Sequence, residues 1–193
     1  MARGIPLSLC PLGDCPATAG WVNARMWPFG RSETPSRKGL LRRAQALASH
    51  GKPEEAAELL EGYCREHPDD YPAVVNLGAV YYAANKYTPA IEKFEQALKL
   101  KPDSATVWLN IGAARNALGH VDKAIEALTK ALEIDPNHRD CHYNLAIAQM
   151  KKGRPLAALA ELERELALSP DHKQARLLAQ NLRTALLHHQ GED

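Results

Sequence analysis

The sequence predicts an all-α fold, a right-handed α-α solenoid of stacked helix-turn-helix repeats. Four prolines stand 34 residues apart, at Pro68, Pro102, Pro136 and Pro170. The residues between them repeat one apolar pattern, and a fixed period of this length is typical of a solenoid. Aligned on the prolines without gaps, the four predicted repeats are 37–70, 71–104, 105–138 and 139–172.

Each repeat carries two blocks of apolar residues at helical spacing, as 71–104 illustrates. Its first block is Val74, Leu77, Gly78 and Tyr81. Its second block is Ala90, Ile91, Phe94, Ala97 and Leu98. Apolar residues that recur three and four positions apart form one face of an amphipathic helix. Each repeat is therefore predicted to contain a first and a second helix that pack through these faces.

The break between the two helices is marked by residues that tolerate a left-handed backbone. Gly51, Gly119 and Gly153 occupy the same place in three repeats, and Asn85 occupies it in the other. Glycine and asparagine at this place commonly end a helix. The positions of the prolines support these helix boundaries. A proline costs little in the first turn of a helix, where its missing N–H would have no partner. Such positions hold Pro72 in a first helix and Pro53, Pro89 and Pro155 in second helices. None of the eight prolines after residue 36 lies in a predicted helix interior.

The segments on either side of the repeats have different predicted roles. After the last repeat, an apolar stripe predicts a capping helix at 173–188 with a frayed tail at 189–193. The stripe consists of Ala175, Leu178, Ala179, Leu182 and Leu186. Residues 1–36 hold five of the 13 prolines and four of the 12 glycines, with no sustained pattern, and are predicted to be a disordered leader.

The run Met26-Trp27-Pro28-Phe29 within the leader suggests two hypotheses. One is that translation starts at Met26 and that residues 1–25 are a mis-assigned start; an intact mass that includes Ala2 to Arg25 would contradict it. The other is that Trp27 and Phe29, beside Arg31, form a weak anchor for a membrane surface or a partner.

Composition narrows the class of protein. The chain has 24 Lys and Arg against 23 Asp and Glu, so it lacks the basic excess of most nucleic-acid binders. Its four cysteines are scattered and resemble reduced thiols rather than a disulfide framework. No stretch reaches the ~20 apolar residues that an integral membrane segment needs. A cytoplasmic protein that binds no nucleic acid is predicted.

Two of the repeats resemble tetratricopeptide repeats. In 71–104 the matching residues are Leu77, Gly78, Tyr81, Ala90, Phe94, Ala97 and Pro102. In 105–138 they are Trp108, Ile111, Gly112, Ala124, Leu128, Ala131 and Pro136. The repeats 37–70 and 139–172 match more weakly. The resemblance implies a non-catalytic adaptor or scaffold, whose first helices line a concave groove that binds a peptide or helix of another protein.

Carried over by position, this groove presents Asn76, Asn110 and Asn144 at identical places in three repeats. A carboxamide both donates and accepts, so three of them at the repeat interval could pair with an extended backbone. The alternative is that this asparagine stabilises the repeat itself. The heat-shock tail clamp of the family is not expected, because its places hold Leu41, Gln45, Asn76, Thr106 and Asn110, of which only Asn76 matches.

The same carry-over predicts the other groove residues, which are mostly apolar with a basic first end. The best anchor candidates are Tyr82, Tyr143 and Met150, because aromatic and thioether side chains gain most from partial burial. The remaining candidates are Leu109, Asn116, Ile147 and Arg42.

Two alternative functions stay open. A metal-binding or enzymatic protein could use Cys141, His138 and His142, or the pair His188 and His189. Yet His138 falls in a predicted loop and no nucleophile and base accompany it, so no catalytic residue, metal or cofactor is predicted. His142 is interpreted as a packed histidine without an evident carboxylate partner. The other alternative is self-association, in which the groove accepts the terminal helix, Lys173 to Leu187, of a second copy.

Overall fold

The computed structural model describes residues 36–189 of the chain, and side chains as far as Leu187. Within this range it contains nine helices and no strand. The helices are α1 (Arg37–Ser49), α2 (Pro53–Glu66), α3 (Tyr71–Ala83), α4 (Tyr87–Leu100), α5 (Ala105–Ala117), α6 (Val121–Ile134), α7 (Cys141–Lys151), α8 (Pro155–Leu168) and α9 (Lys173–His189). The hypotheses about Met26, Trp27 and the leader, and most of the predicted tail, fall outside the described residues.

The helices stack in chain order, which confirms the predicted all-α solenoid. Each helix packs on the next one along the chain, from α1 on α2 to α8 on α9. The first helices also touch one another, α1 with α3, α3 with α5 and α5 with α7. This second set of contacts aligns α1, α3, α5 and α7 along one side of the stack, where a shared surface can form.

The predicted turn residues do end the first helices. Gly51, Gly119 and Gly153 have φ of 75°, 78° and 68°, and Asn85 has φ of 59°. In each turn the next residue's N–H bonds to the carbonyl five positions earlier, as from Lys52 to Leu47 at 3.0 Å and from Lys86 to Tyr81 at 2.8 Å. This pairing is the Schellman motif, which satisfies carbonyls at the helix end and reverses the chain.

Helix pairs approach closely where the sequence places glycine. A Cβ atom added to Gly78 would lie 2.6 Å from Phe94 Cε1, and one added to Gly112 would lie 2.6 Å from Leu128 Cγ. Phe94 and Leu128 are fully buried. The missing side chain of each glycine therefore makes room for a large residue of the partner helix, which fills the core to high density.

Helix α9 lies where the first helix of a fifth repeat would lie. Its stripe of Ala175, Ala179 and Leu182 is buried. The places that face a second helix in the complete repeats hold Arg176, Gln180 and Arg183 instead, all exposed. Arg183 donates to Glu163 of α8 at 2.8 Å. A polar outer face removes the apolar surface on which another helix would pack, so α9 caps the stack.

Candidate functional site

A cavity of about 410 Å³ opens on the side of the stack formed by the first helices. Six of the predicted groove residues line it, namely Tyr82, Leu109, Asn110, Tyr143, Asn144 and Ile147. They come from α3, α5 and α7, so the stacking of three repeats creates the cavity. A concave, partly apolar space of this size with a few polar groups is the usual form of a binding site. We call this surface the groove.

The other predicted residues lie apart from the lining of this cavity. Arg42 is exposed on α1, Asn76 is half-buried on α3, and Met150 is 38% exposed on α7. Asn116 is only 4% exposed. Its side-chain N–H donates to the backbone carbonyl of Asn144 at 3.0 Å, and the backbone carbonyl of Asn116 accepts from the Lys151 ammonium. Asn116 therefore links α5 to α7 rather than offering an exposed anchor.

Hydrogen bonds orient two of the three asparagines at the repeated place. The Asn76 side-chain N–H donates to the Pro72 carbonyl at 2.7 Å, and that of Asn144 donates to the Asp140 carbonyl at 2.8 Å. Each of these two carboxamides is thereby held against its own helix, one turn back. The arrangement gives Asn76 and Asn144 a structural role and leaves their oxygens without a bond among the described residues, as acceptors for an outside N–H.

An apolar column runs beside the asparagines. The residue immediately before the asparagine place is apolar in every repeat and in α9, namely Leu41, Val75, Leu109, Tyr143 and Leu177. Leu177 is 60% exposed. The groove thus pairs a polar column that can bind a backbone with an apolar column that can bury side chains. The apolar column alone extends onto α9, because the asparagine place there holds Leu178.

Glu165 on α8 organises the α7 end of the groove, and the predicted set of site residues does not include it. It is fully buried, at the place where two other repeats have Ala97 and Ala131. Its two carboxylate oxygens accept the N–H groups of Asp140 at 3.1 Å and Tyr143 at 3.4 Å. A carboxylate at a helix start satisfies free N–H groups and opposes the positive end of the helix dipole. Glu165 therefore caps α7 from the neighbouring helix.

The charge of Glu165 also acts on Cys141. Burial, followed by the negative charge of Glu165, raises the pKa of the Cys141 thiol to about 12. The thiolate is the nucleophilic and metal-binding form of cysteine, so this thiol stays protonated near neutral pH. This result disfavours the alternative in which Cys141 acts as a ligand or nucleophile.

Because Glu165 caps α7, the side chain of Asp140 is available to contact other groups. Asp140 has a left-handed backbone with φ of 67°, and its carboxylate is 57% exposed at the edge of the cavity. One of its oxygens lies 3.0 Å from His172 Nε2. His172 Nδ1 accepts the Ala175 N–H at 3.2 Å, and the ring centroid lies 4.8 Å from that of Tyr143. His172 therefore connects the start of α7 to the start of α9.

The three side chains at this end also come close enough for a metal ion. The potential ligand atoms of Asp140, Glu165 and His172 lie within 4.8 Å of one another. However, both oxygens of Glu165 and the free lone pair of His172 already accept backbone N–H groups. Metal binding would break these caps of α7 and α9, so the donor set fits a hydrogen-bond network better than a metal centre.

The histidines of the predicted metal alternative have separate partners. His138 lies before α7, where its Nδ1 donates to the Arg139 carbonyl at 2.8 Å and its Nε2 accepts from Thr106. His142 donates to Glu161 at 2.8 Å. The expectation that His142 lacks a carboxylate partner is therefore wrong, because α8 supplies one from a distant part of the sequence. The side chains of His188 and His189 are outside the described residues.

None of the described helices is both long and apolar enough to span a lipid bilayer.

Family models match most of the repeat region. A model described as "TPR repeat" matches residues 78–119, and models described as "Tetratricopeptide repeat" match residues 37–80 and 115–182. No curated protein sequence matches the chain significantly.

Solved structures of tetratricopeptide proteins have the same fold. A thermophilic TPR protein of Thermus thermophilus aligns with a TM-score of 0.69 at 22% identity, over 77% of this chain and 82% of that one. MamA from Desulfovibrio magneticus aligns with a TM-score of 0.67 at 19% identity, over 80% and 87%. A chain of the APC/C hetero-tetramer Cut9–Hcn1 aligns with a TM-score of 0.67 at 26% identity, over 75% of this chain and 29% of that one.

Proposed function

The chain belongs to the tetratricopeptide repeat family, and on that premise we propose that it is a non-catalytic adaptor whose groove binds an extended segment of another protein. The family and its fold indicate a scaffold for protein interactions. The observation that carries the finer proposal is the cavity shared by α3, α5 and α7, where acceptor oxygens of Asn110 and Asn144 lie beside Leu109, Tyr143 and Ile147.

The spacing of the repeats favours an extended ligand. Packed helices lie roughly 8–10 Å apart, so successive first helices repeat the asparagine at about that interval. An extended chain of the polyproline type presents the same face every three residues, or about 9 Å. The N–H groups on that face can then reach successive asparagine oxygens, while side chains bury against the apolar column.

One further observation supports a role in assembly, and another bears on the location of the protein. The Cut9 and Hcn1 proteins, one of which resembles this chain, form a hetero-tetramer. The described cysteines Cys64 and Cys141 are buried free thiols, which favours the reducing cytoplasm as the location.

A second candidate function is self-association through α9. Leu177 and Leu187 of this helix are 60% and 69% exposed, so α9 offers apolar side chains to a second copy. In this alternative, the α9 of one copy lies in the groove of another. Sedimentation velocity over a hundredfold range of concentration tests it, and a monomer throughout contradicts it.

The groove proposal is tested with peptides selected from a random twelve-residue display library on the full-length protein. We expect micromolar affinity by fluorescence anisotropy, and a loss of tenfold or more when Asn76, Asn110 and Asn144 are all replaced by alanine. The matched control is Asn137→Ala, an exposed asparagine of the loop before α7. Equal affinity of the triple variant and the wild type would contradict the proposal, provided that circular dichroism shows both folded.

A further inference from the structure

The groove carries an exposed acidic group at its α7 end. Among its described lining residues, Asp140 is the one with a carboxylate. That carboxylate is 57% exposed, and its partner is His172 Nε2 at 3.0 Å. More than half of the carboxylate surface therefore stays open at the cavity wall. A groove-bound segment meets this charge directly.

The Asp140 side chain does not cap its own helix, in contrast to Asp70, the N-cap residue of α3, which lies at a different place in the repeat. Asp70 precedes α3, and its carboxylate accepts the Ala73 N–H at 3.2 Å and the Tyr63 hydroxyl at 3.0 Å. At α7 the buried Glu165 performs the capping instead. Asp140 also keeps a positive φ of 67°, which is unfavourable for a residue with a side chain. A positive φ at a residue other than glycine is one mark of a functional position.

The surroundings of Asp140 match a cation that has several N–H donors. Its neighbours on the cavity wall are Asn144, Gln174 and the ring of Tyr143. The Asn144 N–H is engaged with the Asp140 carbonyl, so its oxygen is the group that remains to accept. Lysine and arginine offer three and five N–H donors, and both interact well with an aromatic ring.

We propose, as an extension that rests on the proposed function, that the groove selects a segment whose lysine or arginine side chain binds at Asp140. An apolar side chain of the same segment, three residues along, then packs against Leu109 and Ile147, because a chain of the polyproline type presents the same face every three residues.

Beyond the groove, the α1 end of the same side of the stack has the reverse charge. Lys38 and Arg42 on α1 occupy the same places in the first repeat as Asp140 and Asn144 occupy in the fourth. Both are exposed, and neither forms a salt bridge within the described residues. Three repeat steps of roughly 10 Å correspond to about nine residues of extended chain. The bound segment therefore carries its basic residue at one end and an acidic residue about nine positions away.

The test uses a positional library of twelve-residue peptides, in which one position at a time is fixed as Arg, Glu, Leu or Ala. The full-length wild type is compared with Asp140→Asn, Asp140→Lys and the matched control Glu126→Gln, an exposed acidic residue of α6. We expect the wild type to prefer Arg at one position by about fivefold or more over Ala, as a partly exposed ion pair allows. Asp140→Asn loses the preference, Asp140→Lys reverses it towards Glu, and Glu126→Gln keeps it.

The outcomes separate this proposal from the proposed function. Peptides that bind the wild type and depend on the three asparagines, but show no Arg preference, overturn the role of Asp140 alone. An Arg preference that survives in Asp140→Asn overturns it as well. If no peptide binds the wild type, both proposals fail. Should Asp140→Asn unfold, Asp140→Gly is the second variant, because glycine tolerates the positive φ while removing the carboxylate.

Discussion

The cap that Glu165 provides to α7 can be measured by replacing it with glutamine. Glutamine has nearly the same size, but only one of its two terminal atoms can accept a hydrogen bond. Because the carboxylate accepts the N–H groups of both Asp140 and Tyr143, the variant leaves one buried N–H facing another N–H donor. A lost charge-assisted hydrogen bond and an unsatisfied buried donor cost about 2 kcal/mol.

Amide hydrogen exchange is the suitable assay, because repeat proteins can open locally and a global transition would average the effect. A cost of about 2 kcal/mol corresponds to roughly 30-fold faster exchange, since each 1.4 kcal/mol is a factor of ten. We expect this acceleration at the amides of the first turn of α7, with smaller changes in α3 and α5.

The matched control is Glu133→Gln, an exposed residue of α6 whose replacement should change exchange by less than about twofold. If Glu165→Gln accelerates exchange no more than Glu133→Gln does, the carboxylate does not cap α7. The proposed binding role of Asp140 then loses its structural basis.

Three further predictions concern packing and ionisation. Gly78→Ala should lower the free energy of unfolding in urea by about 1–3 kcal/mol, because the added Cβ would lie 2.6 Å from Phe94. Gly62→Ala, which has no atom within 4 Å of the added Cβ, should raise it by about 0.5–1 kcal/mol. A change of the same sign in both variants would contradict the close packing at Gly78. Phe94→Ala should cost about 3–5 kcal/mol in the same assay, and a loss below 1 kcal/mol would contradict its place in the core. Folding raises the pKa of the Cys141 thiol from 9.0 to about 12. The stability that this shift contributes is therefore complete below pH 9 and is lost as the pH rises towards 12. A Cys141→Ser variant should lose less stability than the wild type over this interval, and equal losses in the two proteins would contradict the shift.

The groove depends on the repetition itself. Each of the last three repeats contributes one asparagine and one apolar residue at fixed places, and no single repeat contains the cavity by itself. Helix contacts between α3, α5 and α7 bring these residues together. The proposed binding surface therefore requires at least three stacked repeats, in agreement with the general behaviour of solenoids, whose stability and function both arise between neighbours.

Local chemistry explains why much of the fold is readable from the sequence. Gly51, Asn85, Gly119 and Gly153 end first helices in the structure because few other residues adopt a positive φ. Gly78 and Gly112 lie opposite Phe94 and Leu128 because a close approach needs a residue without a side chain. A positive φ and a close helix approach each admit few residue types, and each acts within a single repeat. The presence of glycine or asparagine at these places therefore indicates the local structure.

The groove is readable in part. The period places Asn110, Asn144, Tyr143 and Leu109 on one surface, since identical places in a repeat face the same way. It does not show that Asn116 is buried, because the Asn144 carbonyl that accepts its side chain belongs to the next repeat.

By itself the sequence determined the helices, their turns and the family, because these follow from periodicity and from single-residue backbone preferences. Only the tertiary structure decided the chemistry at the α7 end of the groove. Glu165, His172 and Glu161 are separated from their partners Asp140 and His142 by 19 to 32 residues along the chain, and only packing brings them to hydrogen-bonding distance. A carboxylate in place of an alanine is visible in the sequence, but which N–H groups it satisfies depends on the helix that packs against it.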